Sequence, residues 1–598
     1  MKTRLIRLRF RFRRRVRKSQ RQVEDLSTQA EEHIDRHLLR RFSRLAPVQR
    51  FVISWLGLLV LLIGAMVAQN LSLSSHYQTL RTIPGGIYNE GVHGRFTNAS
   101  PLYATSDADT TVSRLIFAGL LSVDEWGKPV GDLASDYNVD AHGTTYTVHL
   151  KPGLKWQDGQ PLTSADVLFT YRAIQNPDAK SPLQSSWQGI EVAAPDARTV
   201  TFKLPGLLAA FPYNLTNGIV PKHLLDSVPP ADLRSADFNT VKPVGAGPFA
   251  WQAIEVSGDG NPRNAQEQIA LTPFADYQGG KPKLQKFIVQ VFANQQQMIN
   301  AFKSNQLTAV EGLNELPHEV ADNPSAQVHS LLLRAANMVF FKTSEGVLAD
   351  SQVRQALVQS VNVPHIIHSL GYQTREVREP LLLGQVGYDS SLKQPAYNPK
   401  AARTLLESAG WVKGKQDIRR KADKSLRFTL TAASTAESRA VAHQLQSYWH
   451  DLGVKAEIQF LDTSEFQNSL TYHGYEAILN GISIGTDPDV FVYWDSSQAD
   501  IRSANRLNIS EYKSTTADTA LEAGRTRLDP KLRTIKYKPF LQAWQQNNPA
   551  LGLYQPRLLY LTNGFVAGLT AQPINSSTDR FINVQNWEIR EAKVTNNP

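Results

Sequence analysis

The chain contains no cysteine. That absence excludes disulfides, thiolate catalysis, Cys-ligated zinc and iron–sulfur clusters. It also excludes a lipid anchor attached through an N-terminal cysteine. No P-loop and no H-E-x-x-H zinc motif is present, so neither nucleotide hydrolysis nor zincin chemistry is written in the chain. We assign no catalytic residue, no metal ligand and no cofactor, and expect a protein that is not an enzyme. A basic folded body is missing too. The net charge is +10, but residues 1–50 alone hold 16 Lys/Arg against 5 Asp/Glu. The remaining residues therefore balance at −1. Nucleic acid is excluded as a partner of such a body, which has no cationic face in its charge count.

The chain has 598 residues, beyond the usual size of one compact domain. Hydrophobic residues make up 41%, enough for more than one core. Residues 51–75 carry no Lys, Arg, His, Asp or Glu. A helix needs about 20 apolar residues to cross a bilayer. Arg40, Arg41, Arg44 and Arg50 precede this stretch, and the next Lys or Arg is Arg81. The positive-inside rule then puts residues 1–50 in the cytoplasm, the span at 51–72 and the body outside. A cleaved signal peptide is the other reading. The long charged region and the poor site at Met66-Val67-Ala68 favour an uncleaved anchor.

The arm has two parts. Arg7, Arg9, Arg11, Arg13, Arg14, Arg15, Arg17 and Lys18 form a cationic run suited to anionic headgroups. Val23, Leu26, Ala30, Ile34, Leu38, Phe42 and Leu45 then recur at helical spacing. That stripe suits a membrane surface or a partner helix, and a solvated topogenic arm is equally consistent with it. His33 and His37 fall at i, i+4, where a solvated helix face explains them better than a metal.

Residues 73–90 are polar, contain Pro84-Gly85-Gly86 and read as a linker. Beyond them strand-like and helix-like stretches alternate. Tyr146-Thr147-Val148-His149-Leu150 alternates as a strand. The stretch from Asp166 to Ala173 follows a Thr163-Ser164 start signal and reads as a helix. Residues 287–292 read as a strand and 295–304 as a helix. Helices are expected at 401–409 and 440–452, stopped by Gly410 and Gly453, with a strand at 454–460. Mixed order of this kind predicts an α/β fold.

Several motifs occur together and in order. Gly143-Thr144-Thr145-Tyr146-Thr147-Val148-His149-Leu150-Lys151-Pro152-Gly153-Leu154-Lys155-Trp156 leads into Asp158-Gly159-Gln160-Pro161-Leu162-Thr163. Val244-Gly245-Ala246-Gly247-Pro248-Phe249, Val353-Arg354-Gln355-Ala356-Leu357, Tyr397-Asn398-Pro399-Lys400 and Asp487-Pro488-Asp489 follow. Across roughly residues 84–598 the chain resembles the extracellular solute-binding proteins of the oligopeptide/dipeptide/nickel class (family 5) of ATP-binding-cassette (ABC) importers. The resemblance implies a two-lobed, periplasmic-binding-protein-like α/β fold of the large type II class, with an extra subdomain in lobe I. Lobe I is expected over residues 84–325 plus 555–598, and lobe II over 326–554. It also implies a small peptide or similar extended solute between the lobes, with an ABC permease and ATPase as partners. A ligand-sensing receptor or scaffold of the same fold is the alternative, suggested by the long basic arm.

The chain departs from that family at the ligand's expected amino terminus. The family holds it with a carboxylate four residues before the Pro of the acidic turn, where this chain has Ile484. A gap that realigns the turn would let Asp487 or Asp489 substitute; without one, weak dependence on a free peptide N-terminus follows. At the end of the first lobe II strand, Lys342 replaces the family's usual Asn. The candidate ligand-binding residues are Asp487, Asp489, Tyr493, Trp494 and Asp495, with Asn98 and Asn217 on stretches that face the cleft in relatives. Carboxylates suit a cationic group, and rings suit apolar or planar parts of a ligand. His365 and His368 read as a surface face of a helix rather than as a zinc site.

Overall fold

The computed structural model describes residues 49–595, apart from 259–264, 314, 322, 415–416, 501, 504–505 and 571. The basic arm, its apolar stripe and the His33/His37 pair lie outside the described residues. The chain divides into two units, one of residues 1–81 with 591–598 and one of residues 82–590.

In the smaller unit, helix Gln49–Tyr77 contains the stretch Arg50–Asn70, 21 residues long and apolar enough to cross a membrane. At 1.5 Å per residue it spans about 30 Å, the thickness of a hydrocarbon core. The expected linker at 73–90 is instead structured. The helix runs on to Tyr77, because residues 71–77 contain no Gly or Pro to break it. Strand Gln78–Ile83 follows and pairs with Arg590–Thr595. Only Pro84-Gly85-Gly86 remains as a turn, with Gly85 and Gly86 at φ of 120° and 92°. Ile87–His93 then begins the body.

The body is built on two large sheets. The first runs, edge to edge, Ala326–Leu332, Arg557–Asn563, Ala309–Leu313, Ile87–His93, Lys286–Phe292, Gln266–Pro273 and Phe249–Ser257. The second runs Lys455–Leu461, Arg427–Ala433, Ala477–Ser483, Ala335–Phe341 and Ala550–Tyr554. Both mix parallel and antiparallel pairs. Side chains on alternate positions of a strand point to opposite faces. Ala336, Met338 and Phe340 accordingly enter one core of the second sheet, and Val339 and Phe341 the other. Both faces are covered, which is why Met338-Val339-Phe340-Phe341 reads as a continuous apolar run rather than an alternation.

A third, four-stranded antiparallel sheet holds Ala134–Val139, Thr145–Leu150, Thr199–Lys203 and Glu191–Asp196. Tyr146, Val148 and Leu150 are buried while their neighbours are half-exposed, the period-two pattern of a sheet covered on one face. Helix Ser164–Gln175 starts where Asp166 accepts from the Thr163 amide at 2.8 Å. Helix Ala436–Leu452 stops at Gly453, whose φ of 88° suits a residue without a Cβ.

Two of the sequence motifs meet in space. Gln157 Nε2 lies within hydrogen-bond reach of the carbonyls of Ile116 (3.1 Å), Gly247 (3.2 Å) and Phe249 (2.8 Å), and its Oε1 accepts from Gly245 N at 2.9 Å. Gln157 thereby clamps the Gly245–Phe249 turn against the end of helix Asp107–Ile116. A Cβ on Gly245 would fall 2.0 Å from the Ile116 carbonyl oxygen, a backbone atom that cannot swing away. Overpacking of this kind costs about 1–3 kcal/mol. Gly245→Ala should therefore lower unfolding free energy by roughly 2 kcal/mol in urea titration. An unchanged midpoint would show that the turn tolerates a side chain.

The chain crosses between the two large sheets twice. One crossing joins Leu332 to Ala335 and the other Tyr554 to Arg557. The sequence-based boundary at 326 falls one strand early, because Ala326–Leu332 pairs with Arg557–Asn563 in the first sheet. The crossings are tied side by side. Leu333 N donates to Pro556 O at 2.9 Å, and Gln555 Nε2 donates to Leu333 O at 3.1 Å.

Candidate functional site

The cleft loop leaves the second sheet at Ser483 and is fixed at the first crossing. Ile484 N and Gly485 N both donate to Arg334 O, at 3.0 and 2.9 Å. Gly485 takes φ of 77°, which turns the chain, and its carbonyl accepts from Gln385 Nε2 at 2.7 Å. Thr486 then donates to Asn575 Oδ1 at 2.9 Å, bringing the 484–489 loop against a segment close to the first sheet. Arg334 reaches the other way, donating from Nη2 to Trp126 O at 3.0 Å.

The loop forms one wall of a cavity of about 470 Å³. Arg114, Tyr213, Asn214 and Thr216 face it from the first-sheet side, with Asn575 and Ser576 at the end. A second cavity, of about 870 Å³, is lined by Asp107, Glu311, Tyr372, Glu437 and Arg557 among others. Asn575, Ser576 and Thr578 line both, so the two cavities meet. Each has the size of a small-ligand pocket.

Electrostatics differ between the two. In the first, Asp487 receives both terminal nitrogens of Arg533 at 2.7 Å each, a bidentate pair with little solvent access. Burial opposes the Arg533 charge, but Asp487 more than offsets it and holds the guanidinium above its usual value. Asp489 pairs with Arg525 at 3.0 Å, and Arg525 stacks over Phe491 at 4.2 Å. Burial raises the Asp489 carboxyl against the pull of Arg525, and Asp487 adds to the rise. Both acids are neutralised from within the second lobe. The Arg525 carbonyl also accepts from Ala209 N at 3.0 Å, a backbone link to the first-sheet side.

Of the residues expected at the site, the structure brings only Asp487 and Asp489 to these cavities. Tyr493 is half-buried and donates to Ser483 O at 2.8 Å, bracing the base of the loop. Trp494 is fully buried, its ring 5.7 Å from Phe340 and 5.9 Å from Trp544 in the core of the second sheet. Asp495 caps the short helix Ser496–Ala499, accepting from Ser497 N at 2.9 Å. Asn98 is buried in its own loop, accepting from Ser100 N at 2.8 Å and donating to Arg234 O at 3.2 Å. Asn217 is partly exposed and lines neither cavity, although Thr216 beside it does. Ile484 lines the first cavity as a buried apolar side chain, where an acid was absent in the sequence. Lys342 is half-buried, pairs with Glu345 at 2.6 Å and donates to the His473 carbonyl at 3.2 Å. Sequence reasoning missed Arg533, Arg525, Glu311 and Glu437. No local signal marks them, since Arg533 lies 46 residues from its partner.

Residues 128–503 match the family described as bacterial extracellular solute-binding proteins, family 5. The chain belongs to that family. Among its relatives, the oligopeptide-binding protein AppA of Bacillus subtilis is 27% identical over 484 residues, covering 79% of this chain and 86% of AppA. Protein XP55 of Streptomyces lividans is 26% identical over 437 residues, 72% of this chain and 76% of XP55. Solved structures share the fold. Bacillus subtilis AppA in complex with a nonapeptide gives a TM-score of 0.67 at 24% identity, covering 85% of this chain and 100% of that one. NikZ of Campylobacter jejuni in complex with Ni(L-His) gives 0.70 at 24% identity over 85% of this chain and 99% of NikZ. The two-lobed binding-protein architecture of this family 5 member is thereby established.

Removing one partner of a buried ion pair leaves the other charge uncompensated, at a cost of about 3–5 kcal/mol. Asp487→Asn should lower unfolding free energy by roughly 3 kcal/mol, chiefly through the stranded Arg533. Chemical denaturation measures it. A loss below that of an exposed Asp→Asn control would mean the pair carries no structural weight.

Proposed function

We propose that this chain is a membrane-anchored, extracytoplasmic binding protein that captures oligopeptides between its two lobes and delivers them to an ABC importer. The observation that carries the reading is a pair of adjoining cavities. They measure about 470 and 870 Å³ and share Asn575, Ser576 and Thr578 in their linings. An extended ligand suits such a cleft better than a compact one. Peptides bound this way take affinity from backbone hydrogen bonds at every residue, which tolerates varied side chains. A relative of this family binds oligopeptides by name, and its structure holds a nonapeptide. Two short tied crossings are the kind of connection about which lobes close by hinge motion.

Helix Gln49–Tyr77 supports the anchor, with residues 1–50 inside and the body outside. Protease added to spheroplasts should digest the body and spare the arm. A protected full-length chain would reverse the orientation. For the ligand, a mixed pool of short peptides at millimolar concentration should raise the thermal midpoint. Saturation at one hundred times the Kd stabilises by about 2.7 kcal/mol, well within reach of the assay. No shift with peptides, but a shift with glycans or metal chelates, would overturn the peptide assignment.

A further inference from the structure

The second cavity is acidic in a way the first is not. Asp107, Glu311, Glu315 and Glu437 line it, and Arg557 is the one Lys or Arg among its described lining residues. Arg557 is already engaged, its guanidinium 3.7 Å over the Tyr372 ring. Glu437 accepts from Tyr372 at 2.8 Å and from Tyr554 at 2.7 Å, so it is held in place by neutral hydroxyls. Glu311 stands apart. It is 1% exposed, lines the cavity, and its Oε2 is buried without a hydrogen-bond partner among the described residues.

An unpartnered buried carboxylate is expensive, and a folded protein normally pairs it. The cation near Glu311 is Arg580, but that guanidinium is committed to Glu90 in a pair with no solvent exposure. Burial pushes the Glu311 carboxyl up to about 7, Arg580 opposing and Asp107 and Glu90 adding. A cation entering the cavity would restore the charged form and satisfy the orphan oxygen. Nothing comparable holds in the first cavity, where Arg533 and Arg525 already satisfy Asp487 and Asp489.

We propose that the second cavity is a subsite for a cationic group of the ligand, an organic ammonium or guanidinium, seated among Glu311, Glu437 and Asp107. This rests on the peptide reading above and deepens it, because it sets the charge of the preferred ligand and its direction in the cleft. The group is either a terminal ammonium or a basic side chain, and the two are separated by experiment.

Calorimetry on the full-length chain in detergent would use alanine-based pentapeptides in which one lysine, or one glutamate, is scanned through all positions, each set free and N-acetylated. A cationic occupant should improve binding at least about ten-fold, lysine over glutamate if it is the side chain and free over N-acetylated if it is the terminal ammonium. Glu311→Gln and Glu437→Gln should each remove most of that preference. If acetylation weakens both sets alike, the terminal ammonium is the occupant. If only lysine→norleucine weakens binding, the side chain is. Equal binding of all four sets, or a preference untouched in both variants, overturns the subsite. Spermidine is the probe that does not depend on peptide binding. Should no peptide bind while spermidine raises the thermal midpoint of the wild type and not of Glu311→Gln, the subsite stands and the peptide reading falls. Should spermidine also fail, both fall.

Discussion

The paired crossing between the two large sheets is the constraint on which the cleft depends. Leu333 and Arg334 on one strand and Gln555 and Pro556 on the other must pass together, and their backbone and side-chain bonds keep them in register. Arg334 then does more than connect. Its carbonyl accepts from both Ile484 and Gly485, and its guanidinium donates to Trp126. The cleft loop is therefore referenced to the crossing itself. Any rotation of one sheet against the other would carry the loop with a backbone atom at the pivot, so its first residues keep their geometry while the far wall moves. That is how a binding surface can be rigid within each lobe and adjustable between them.

Buried charge is the second structural theme, and it is used for position. Glu90 and Arg580 have no solvent exposure, and Tyr560 donates to the same carboxylate at 2.8 Å. Removing two ions from water costs several kcal/mol each, which a single contact rarely recovers. The surrounding bonds matter more. Arg580 also donates to Thr111 and to the Ser577 carbonyl, which pins the short helix Ser577–Phe581. Ser576, Ser577 and Thr578 are cavity-lining residues at the start of that pinned helix. A charge pair deep in the first lobe thus sets the floor where the two cavities join.

Much of the architecture was legible because local periodicity and global burial agree. Tyr146, Val148 and Leu150 alternate in sequence and in burial. Gly453 stops a helix where its φ requires a residue without a Cβ. The apolar span after Arg50 also coincides with a continuous helix. The site was far less legible, since its decisive contacts join positions distant in the chain. Arg580 lies 490 residues from Glu90. The cluster after Gly485 illustrates the limit. Asp487, Asp489, Trp494 and Asp495 share one short stretch, yet two face the cavity, one fills a core and one caps a turn. Composition could not separate them, because an aromatic ring in a loop serves a core or a ligand equally well. Pattern matching misleads in the same stretch. Gly481-Ile482-Ser483-Ile484-Gly485 spells the G-x-S-x-G of a nucleophile elbow. That elbow requires a helix directly after the serine. Here Ser483 ends a strand, a loop follows, and its carbonyl is taken by Tyr493. No histidine lines either described cavity.

Charge is distributed along the cleft with a polarity. At one end Asp487 and Asp489 are closed off by arginines of their own lobe, and Ile484 supplies apolar surface. At the other end, among the described residues, the acids outnumber the cations, and Glu311 has a buried oxygen without a hydrogen-bond partner. Field strength rises as solvent is excluded, so lobe closure would amplify this asymmetry rather than average it. An extended ligand in such a cleft has two orientations whose backbone contacts are nearly equivalent. The polarity breaks that degeneracy, because only one orientation places a cation against Glu311 and apolar groups against Ile484. Orientation would then be selected by charge at one end and permitted by shape at the other. A binder that tolerates many sequences can in this way still hold each of them in one direction.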